Sequence, residues 1–180
     1  MTSWGRIARR IRVPLGFLLA AVYLWRALPD WTSLAEGSVL IVLGLALRAV
    51  ASGHLRKNAE VTSSGPYAYL RNPLYLGSLI MAAGFAVAAR DLWLAAAILV
   101  FFLGVYLPVI FSEEAWLRAN FPAFEDYARR VPRLWPRFTH EGATEGRFSS
   151  KLYLQHREYN ALLGAVAMLA ALVVKLLRFS

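Results

Sequence analysis

The chain has 180 residues, of which 58% are hydrophobic, and its formal net charge at neutral pH is +9. Soluble domains are about 45–50% apolar, so this composition excludes an ordinary soluble domain and indicates a membrane protein. The absence of cysteine excludes disulfides, thiolate nucleophiles and cysteine metal sites. No internal repeat or low-complexity tract divides the chain, so we expect residues 1–180 to form a single integral membrane domain.

Five apolar stretches approach the roughly 20-residue length of a helix that crosses a bilayer core. They are Val13–Leu28, Leu34–Ser52, Leu74–Ala89, Leu92–Phe111 and Ala161–Leu177. The predicted fold class is therefore all-α: a polytopic membrane helix bundle of about five transmembrane helices, with interfacial helices beside them. Arginines precede the first stretch as in a signal peptide, but no small-residue cleavage site follows it, so we expect a retained span.

The basic residues are distributed unevenly along this five-span path. Fifteen of the 20 Lys and Arg residues fall on the side of the N-terminus, which is the positive-inside pattern and places that side in the cytoplasm. Because these charges flank spans, anionic membrane lipids are the expected partners rather than nucleic acid.

A very short connection joins the third and fourth spans. Ala88-Ala89-Arg90-Asp91 leaves room only for an antiparallel hairpin, so the far ends of the two spans must meet. At a rise of about 1.5 Å per residue both ends return to one face of the membrane. The hairpin therefore predicts that Arg71–Tyr75 lies beside Glu113 and Glu114.

The run Ser64–Gly77 combines polar, aromatic and turn residues at the start of the third span. Pro73 at a first helical turn leaves backbone N–H groups free, and the helix dipole there favours anions, so the run can bind a ligand. In the alternative interpretation, Arg71 is a topology anchor and the neighbouring tyrosines form an interfacial aromatic belt.

Glu113 and Glu114 lie at the end of the fourth span, where the negative end of the helix dipole disfavours carboxylates. A cation is needed nearby. Arg118 one turn later, or Arg71 across the hairpin, could neutralise the pair. The other interpretation is that the acids hold a cationic cofactor or a ribose diol.

The segment after the acidic pair reads as a broken amphipathic helix on the membrane surface. Its apolar contacts come from Trp116, Leu117, Phe121, Phe124 and Tyr127.

A basic run follows at residues 127–137. It is either a patch for phospholipid headgroups or a lid in which Arg130 and Arg133 order a ligand. Beyond it, Thr139–Ser150 is predicted to be a loop and Lys151–Asn160 an interfacial lead into the last span.

Other kinds of site find little support. The three histidines, His54, His140 and His156, lack the spacing of metal ligands, so no metal site is predicted. The phosphate-binding glycine motifs of soluble nucleotide folds and the serine-hydrolase elbow are also missing from the sequence.

Four features follow one another in the chain: Ser-Gly-Pro-Tyr-x-Tyr-x-Arg-Asn-Pro-x-Tyr-x-Gly, an apolar hairpin, Glu-Glu, and Phe-x-x-Phe-x-x-Tyr-x-x-x-Val-Pro. This order resembles the isoprenylcysteine carboxyl methyltransferase and phospholipid methyltransferase superfamily. The resemblance covers about residues 45–137 and leaves out the C-terminal interfacial segment and last span, 147–180. It implies a cytoplasm-facing pocket for S-adenosyl-L-methionine that is built without a Rossmann domain.

The resemblance also implies which residues line that pocket. They are Val61, Thr62, Tyr67, Asn72, Pro73, Leu74, Tyr75, Glu113 and Glu114. For catalysis we expect Glu114 to bind the cofactor or steer an amine, and Arg130 and Arg133 to order the lid or an anionic acceptor.

Two positions depart from the pattern of the superfamily. Asn72 stands where the family usually has histidine, so a titrating acid or base is not available there. Val109 stands where the enzymes that act on prenylcysteine carboxylates have arginine, which puts that substrate role in doubt.

The expected function is S-adenosylmethionine-dependent methyl transfer to a lipophilic acceptor that enters from the membrane. Two alternatives remain open: an NADPH-dependent membrane reductase, since sterol reductases resemble this superfamily, and a non-catalytic membrane scaffold. We expect a multi-pass protein of a bacterial or archaeal inner membrane. The identity of the acceptor and the oligomeric state stay open.

Overall fold

The computed structural model describes residues 3–57, 59–137 and 146–179, and within these ranges the chain is helical and has no strand. Its α-helices are α1 (Ser3–Arg26), α2 (Trp31–His54), α3 (Pro73–Ala89), α4 (Leu92–Phe101), α5 (Leu107–Asn120), α6 (Ala123–Arg130), α7 (Ser150–Gln155) and α8 (Tyr159–Phe179). A 3-10 helix, Gly65–Ala68, precedes α3, and a π-helical segment, Phe102–Tyr106, joins α4 to α5.

Three helices within the described ranges are long and apolar enough to cross a membrane: Trp31–His54, Leu92–Asn120 and Tyr159–Arg178. α3 is apolar but has only 17 residues. α1 has arginines at four positions of its first half, which leaves a short apolar stretch after them. The membrane helix bundle is thus confirmed, whereas the crossing of α1 and α3 stays a prediction.

Large apolar side chains cover the outside of the bundle. Phe17 on α1 is 74% exposed, Trp93 on α4 is 76% exposed and Leu163 on α8 is 61% exposed. A soluble protein rarely exposes so much contiguous apolar surface, because water disfavours it. Lipid tails are the solvent that suits this surface.

α2 and α3 pack against each other through two pairs of glycines. A Cβ atom on Gly37 would lie 2.5 Å from the Gly84 carbonyl oxygen, and one on Gly44 would lie 2.6 Å from that of Gly77. Side chains at these positions would push the helices apart. Small residues let membrane helices approach closely, which maximises dispersion contacts where lipid offers no hydrophobic driving force.

The connection between α3 and α4 is the tight hairpin that the sequence predicts. Arg90 ends α3 in the left-handed region at φ 51°, and the Asp91 carboxylate caps α4 by accepting a hydrogen bond from the Leu94 amide at 3.0 Å. Asp91 also pairs with Arg26 of α1 at 2.8 Å, and Arg90 pairs with Asp30 before α2. These ion pairs hold the hairpin against the α1–α2 connection.

α8 packs on the same end of the bundle. Leu172 is completely buried in a cluster with Tyr23 of α1 and Leu94 of α4. The Lys175 ammonium donates hydrogen bonds to the Leu24 and Trp25 carbonyls, both at 2.8 Å. Since the last carbonyls of a helix lack partners within it, a cation there stabilises the end of α1.

The π-helical segment has a local cause. Pro108 cannot donate a backbone hydrogen bond, which interrupts the α-helical pattern at this point. The Leu107 amide bonds to the Phe102 carbonyl, five residues back, instead of four. The wider turn brings the rings of Phe101, Phe102 and Tyr106 together, with centroids 5.5–5.6 Å from Tyr106.

The break after the acidic pair is confirmed, with α5 ending at Asn120 and α6 starting beyond Pro122. Phe124, Tyr127 and Val131 are buried together at this corner.

The predicted loop Thr139–Ser150 is described only from residue 146 onward, and residues 139–145 lie outside the described ranges. Its boundary was wrong by one residue, because Ser150 begins α7 and the Ser149 hydroxyl accepts a hydrogen bond from the Leu152 amide at 3.4 Å.

Candidate functional site

The hairpin of α3 and α4 brings the two predicted motifs together. The Tyr75 hydroxyl donates a hydrogen bond to the Glu113 carboxylate at 3.0 Å. The Asn72 side-chain amide donates one to Glu114 at 3.0 Å. Residues about 40 positions apart in the chain therefore form one cluster, and its two carboxylates have different neighbours.

Glu114 is the centre of a buried network. Its residue is only 2% exposed, and one carboxylate oxygen accepts hydrogen bonds from Nε and a terminal nitrogen of Arg133, at 3.0 and 2.9 Å. The other oxygen accepts the Asn72 bond and lies 3.5 Å from Nε of Arg71. Charge-assisted bonds of this kind compensate the cost of burying a carboxylate.

The cation that neutralises Glu114 is not Arg118. Arg118 instead pairs with Glu125 of α6 at 2.9 Å, so this one of the two alternatives is excluded. The reason is the bend at Pro122, which turns α6 back toward the end of α5. Of the two neutralising cations weighed from the sequence, Arg71 is the one that lies near Glu114.

Arg71 is buried with an unsatisfied donor. Its side chain is 10% exposed, and its Nε is a buried polar atom without a hydrogen-bond partner among the described residues. Burial lowers the pKa of Arg71, while the charge of Glu114 acts in the opposite direction. Two guanidinium groups, from Arg71 and Arg133, face the single carboxylate of Glu114, so this side of the site carries excess positive charge.

Glu113 forms the negative side of the site. It is half-buried, and its described partner is the hydroxyl of Tyr75 rather than an arginine. The Tyr75 ring meets the Tyr106 ring edge-to-face, with centroids 5.8 Å apart. The carboxylate is thus held in place by a neutral donor, and its negative charge is left uncompensated by that donor.

The loop before α3 forms a further wall. Tyr67 is 6% exposed, and its carbonyl accepts a hydrogen bond from the Tyr127 hydroxyl at 2.8 Å. Burial raises the pKa of the Tyr67 phenol, and nearby Tyr127, Glu113 and Glu158 add to that rise. Tyr67 therefore lies within electrostatic reach of Glu113.

Val61 and Thr62 support this loop. Val61 packs against the cluster of Phe124, Tyr127 and Val131, and the Thr62 hydroxyl accepts a hydrogen bond from the Arg56 amide at 3.0 Å. Their described contacts are structural.

The two predicted lid arginines are in different places. Arg133 contacts Glu114, whereas Arg130 is exposed and its Nε bonds to the Asp126 carbonyl within α6 at 3.2 Å. The segment that carries Arg133 pairs with the run before α3, since the Arg71 amide bonds to the Pro132 carbonyl at 2.8 Å.

An apolar cavity of about 250 Å³ lies between α1, α3, α4 and α8. Its lining includes Leu19, Ala82, Phe85, Ile98, Tyr106 and Met168. Tyr106 belongs both to this cavity and to the ring contact with Tyr75. The cavity therefore ends next to the residue that holds Glu113.

The region that contains the site matches a known protein family. The family model described as phospholipid methyltransferase matches residues 34–123, which is half of the chain. The chain belongs to the phospholipid methyltransferase family. The matched region includes α2, the α3–α4 hairpin and the acidic pair, so membership supports membrane methyltransferase activity as the general class of function.

Two relatives of this phospholipid methyltransferase family member have names that refer to metal resistance. The chain is 39% identical over 84 residues to the nickel-cobalt-cadmium resistance protein NccN of Alcaligenes xylosoxydans xylosoxydans, covering 47% of this chain and 39% of that protein. It is 32% identical over 137 residues to the cobalt-zinc-cadmium resistance protein CzcN of Cupriavidus metallidurans, covering 71% of this chain and 62% of that protein. The chain thus matches less than two thirds of the length of either relative. No solved structure matches it.

Among the residues that the structure describes, no three His, Asp or Glu side chains lie close enough together to hold a metal ion.

Sequence reasoning named neither Tyr106 nor Arg48 at the site, and it singled out Glu158 only as part of the segment Lys151–Asn160. Tyr106, Arg48 and Glu158 all contact or border the predicted run. Arg48 gave the only usable signal, because a charge inside an apolar span is costly and commonly functional.

Proposed function

We propose that the chain transfers a methyl group from S-adenosyl-L-methionine to a lipophilic acceptor that enters from the membrane. Membership of the phospholipid methyltransferase family supports the reaction class. The choice of donor and acceptor rests on the charges and cavities of the site.

The residues present fit this cofactor. S-adenosylmethionine carries a sulfonium and an ammonium group, a carboxylate and an aromatic adenine. Glu113 offers negative charge for the cationic groups. Arg71, which shares the Glu114 carboxylate with Arg133, offers positive charge for the carboxylate of the cofactor. The Tyr75 ring offers aromatic surface beside Glu113, and Tyr67 lies within electrostatic reach of the same carboxylate. A site with one negative and one positive side suits an amino-acid moiety that carries both charges.

The observation that carries the proposal is the contact of Tyr106 with Tyr75. Through it, the apolar cavity ends beside the hydrogen bond between Tyr75 and Glu113. A hydrocarbon chain in the cavity would therefore present its polar end to the charged site. Membrane helices supply the cavity walls, so an acceptor can enter from the lipid.

When bound, S-adenosylmethionine supplies an electrophilic methyl group. The chain then has to position the two reactants, and holding them in line can lower the activation barrier by roughly 7–11 kcal/mol. Tyr75 orients Glu113, the apolar cavity excludes water from the acceptor side, and Arg71 fixes an anionic group. Asn72 cannot titrate near neutral pH, so we assign it to holding Glu114 rather than to moving a proton.

Glu114 and Arg133 receive a positioning role in this proposal. Both oxygens of Glu114 already accept hydrogen bonds from Asn72 and Arg133, so its negative charge is neutralised within the protein. Arg133 links α5 to the segment after α6 and thereby holds that segment beside the site. Arg130, exposed on α6, is left to contact headgroups of anionic lipid.

The proposed orientation places the N-terminus and the cofactor site on the cytoplasmic side. The basic residues before α1, in the α2–α3 loop and between α5 and α8 support it by the positive-inside pattern. Both named relatives come from bacteria, which supports a bacterial inner membrane.

The test is binding of S-adenosylmethionine to the purified protein in detergent, measured by titration calorimetry. Glu113→Gln and Tyr75→Ala should each weaken binding by tenfold or more, while Glu125→Gln, which breaks an exposed pair with Arg118, should bind like the wild type. Equal affinity in all variants, or no binding by the wild type, would overturn the proposal.

Incubation with isotopically labelled S-adenosylmethionine and a total membrane-lipid extract then tests the acceptor. Mass spectrometry should find a labelled lipid product. Thermal stabilisation by NADPH in place of S-adenosylmethionine would favour a reductase, and stabilisation by neither, with no labelled product, would favour a scaffold.

A further inference from the structure

Arg48 places a guanidinium group inside α2, within a helix that is apolar enough to span the membrane. Its side chain is 22% exposed, and its Nε donates a hydrogen bond to Glu158 at 2.5 Å. A terminal nitrogen of the same group donates to the Leu74 carbonyl at 3.3 Å and to the Ser78 hydroxyl. Charged groups in membrane spans are expensive, so a paired one that also binds backbone invites a functional explanation.

The carboxylate partner comes from the opposite end of the chain, 110 residues away. Glu158 follows α7 in a sharp turn, where Arg157 adopts φ 53°, and its side chain is 10% exposed.

The turn is attached to the end of α2 at two further points. The His156 ring nitrogen Nδ1 lies 3.2 Å from the Ser52 carbonyl, and the Ser149 amide bonds to the Gly53 carbonyl at 2.9 Å. The segment that carries Glu158 is therefore fixed to α2, and this holds the carboxylate beside Arg48.

The atoms that Arg48 holds belong to the candidate site. Leu74 lies between Asn72 and Tyr75, and its carbonyl also accepts a hydrogen bond from Ser78 at 3.0 Å. Fixing this carbonyl fixes the first turn of α3, whose neighbouring side chains contact Glu114 and Glu113.

Glu158 also borders the loop before α3. The charges of both Glu158 and Glu113 contribute to the raised pKa of the Tyr67 phenol, so both carboxylates lie near this buried side chain. Glu158 lies outside the region that matches the phospholipid methyltransferase family, residues 34–123. The C-terminal segment thus approaches the family core at its candidate site.

We propose that Arg48 and Glu158 are positioning residues of the methyl-donor site. The ion pair ties the segment between α7 and α8 to the first turn of α3, and this orients Asn72 and Tyr75 toward the two glutamates. Loss of the pair leaves the bundle folded but loosens that turn, and the donor site loses affinity. This inference rests on the proposed function for its link to S-adenosylmethionine.

The experiment compares Glu158→Gln with the wild type in detergent. Glu60→Gln is the matched control, because it breaks the exposed pair of Glu60 with Arg56, whose side chains are 55% and 61% exposed. Three quantities are measured: the affinity for S-adenosylmethionine, the thermal midpoint without ligand, and hydrogen–deuterium exchange of the peptide that contains residues 72–78.

Glu158→Gln should weaken S-adenosylmethionine binding by tenfold or more and speed exchange in residues 72–78 by a similar factor, with the thermal midpoint within a few degrees of the wild type. Glu158→Asp should recover part of the affinity that Glu158→Gln loses. Glu60→Gln should change none of these quantities.

Wild-type exchange in residues 72–78 of Glu158→Gln would overturn the positioning role, whatever the cofactor result. A lowered thermal midpoint with wild-type affinity would also overturn it, since the pair would then serve stability alone. Failure of the wild type to bind S-adenosylmethionine, with faster exchange in the variant, would instead contradict the proposed function and support the structural link.

Discussion

The Asn72 side-chain amide donates a hydrogen bond to Glu114 at 3.0 Å and a second one to the Arg133 carbonyl at 3.2 Å. One short side chain therefore joins the start of α3, the middle of α5 and the segment after α6. Asn72 also precedes α3 but gives no capping hydrogen bond to that helix. Its donor capacity is used for tertiary contacts instead of for local helix formation.

Glu114→Gln should destabilise the protein more than Glu113→Gln. The substitution leaves the guanidinium groups of Arg71 and Arg133 without their shared carboxylate. Breaking a fully buried ion pair costs about 3–5 kcal/mol, and since the Arg133 side chain is 35% exposed we expect about 2–3 kcal/mol. Unfolding in detergent with a denaturant gives the free energy.

Glu113→Gln is the matched comparison for that measurement. The Tyr75 hydroxyl can still donate to the amide oxygen of the new side chain, so the expected cost stays below about 1 kcal/mol. Similar stability losses in both variants would show that the two carboxylates are not divided between a structural and a ligand-facing role.

Filling the apolar cavity should block the acceptor and leave the cofactor unaffected. Ala82 lines the cavity, whereas its neighbour Ala83 is exposed on the outside of α3. Ala82→Phe should reduce labelling of lipid by tenfold or more with S-adenosylmethionine affinity within twofold of the wild type. Ala83→Phe adds the same ring outside the cavity and should retain labelling. Equal labelling in both variants would place the acceptor elsewhere.

Gly84→Ala should separate α2 from α3. The added Cβ would lie 2.6 Å from the Gly37 carbonyl oxygen and 2.8 Å from a side-chain carbon of Ile41, so the backbones must shift. Overpacking of this kind costs about 1–3 kcal/mol. Gly164→Ala on α8 meets no atom within 4 Å and should be neutral or slightly stabilising. Thermal midpoints of the two variants test the expectation, and a neutral Gly84→Ala would contradict it.

Acid should weaken the hairpin end of the bundle. The hydrogen bond from the Leu94 amide, helped by Arg26, lowers the pKa of Asp91 below its ordinary value of 3.8. Because the folded-state pKa is the lower one, the stabilisation is fully present above the ordinary pKa and is lost as the pH falls through the lowered pKa.

The measurement is the thermal midpoint between pH 6 and pH 3. Asp91→Asn should show a smaller loss of stability on acidification than the wild type. Asp126→Asn, whose side chain is 76% exposed in the wild type, should follow the wild-type curve. Parallel curves for all three proteins would exclude this contribution of Asp91.

The juxtaposition of the Arg71–Tyr75 run with the acidic pair could be predicted because a short turn leaves only one geometry for two apolar helices. The pairings within it were harder. Arg118 is one helical turn after Glu114, yet the bend at Pro122 brings Glu125 to it instead. Within one helix, the spacing in sequence decides which side chains can meet. A break in the helix lets a side chain of the next helix pair with the same residue instead.

Long-range pairs show the limit of reasoning from one sequence. Nothing local in Glu158 indicates Arg48, because the turn at Arg157 and the anchoring of His156 decide where that carboxylate points. The glycines between α2 and α3 leave a clearer pattern in the sequence. Gly37 and Gly44 are seven residues apart on α2, and Gly77 and Gly84 are seven residues apart on α3, so the two glycines of each helix lie on one helix face.

The π-helical segment Phe102–Tyr106 sets the angular phase of everything after it. An α-helix turns by about 100° per residue, so one residue accommodated in a wider turn rotates the rest of the helix by about that angle relative to an uninterrupted one. Glu113 and Glu114 lie on α5, which follows this segment directly, about two turns beyond its end. The direction in which the acidic pair faces therefore depends on Pro108 and on the rings of Phe101, Phe102 and Tyr106, which lie up to several turns before it in the same span.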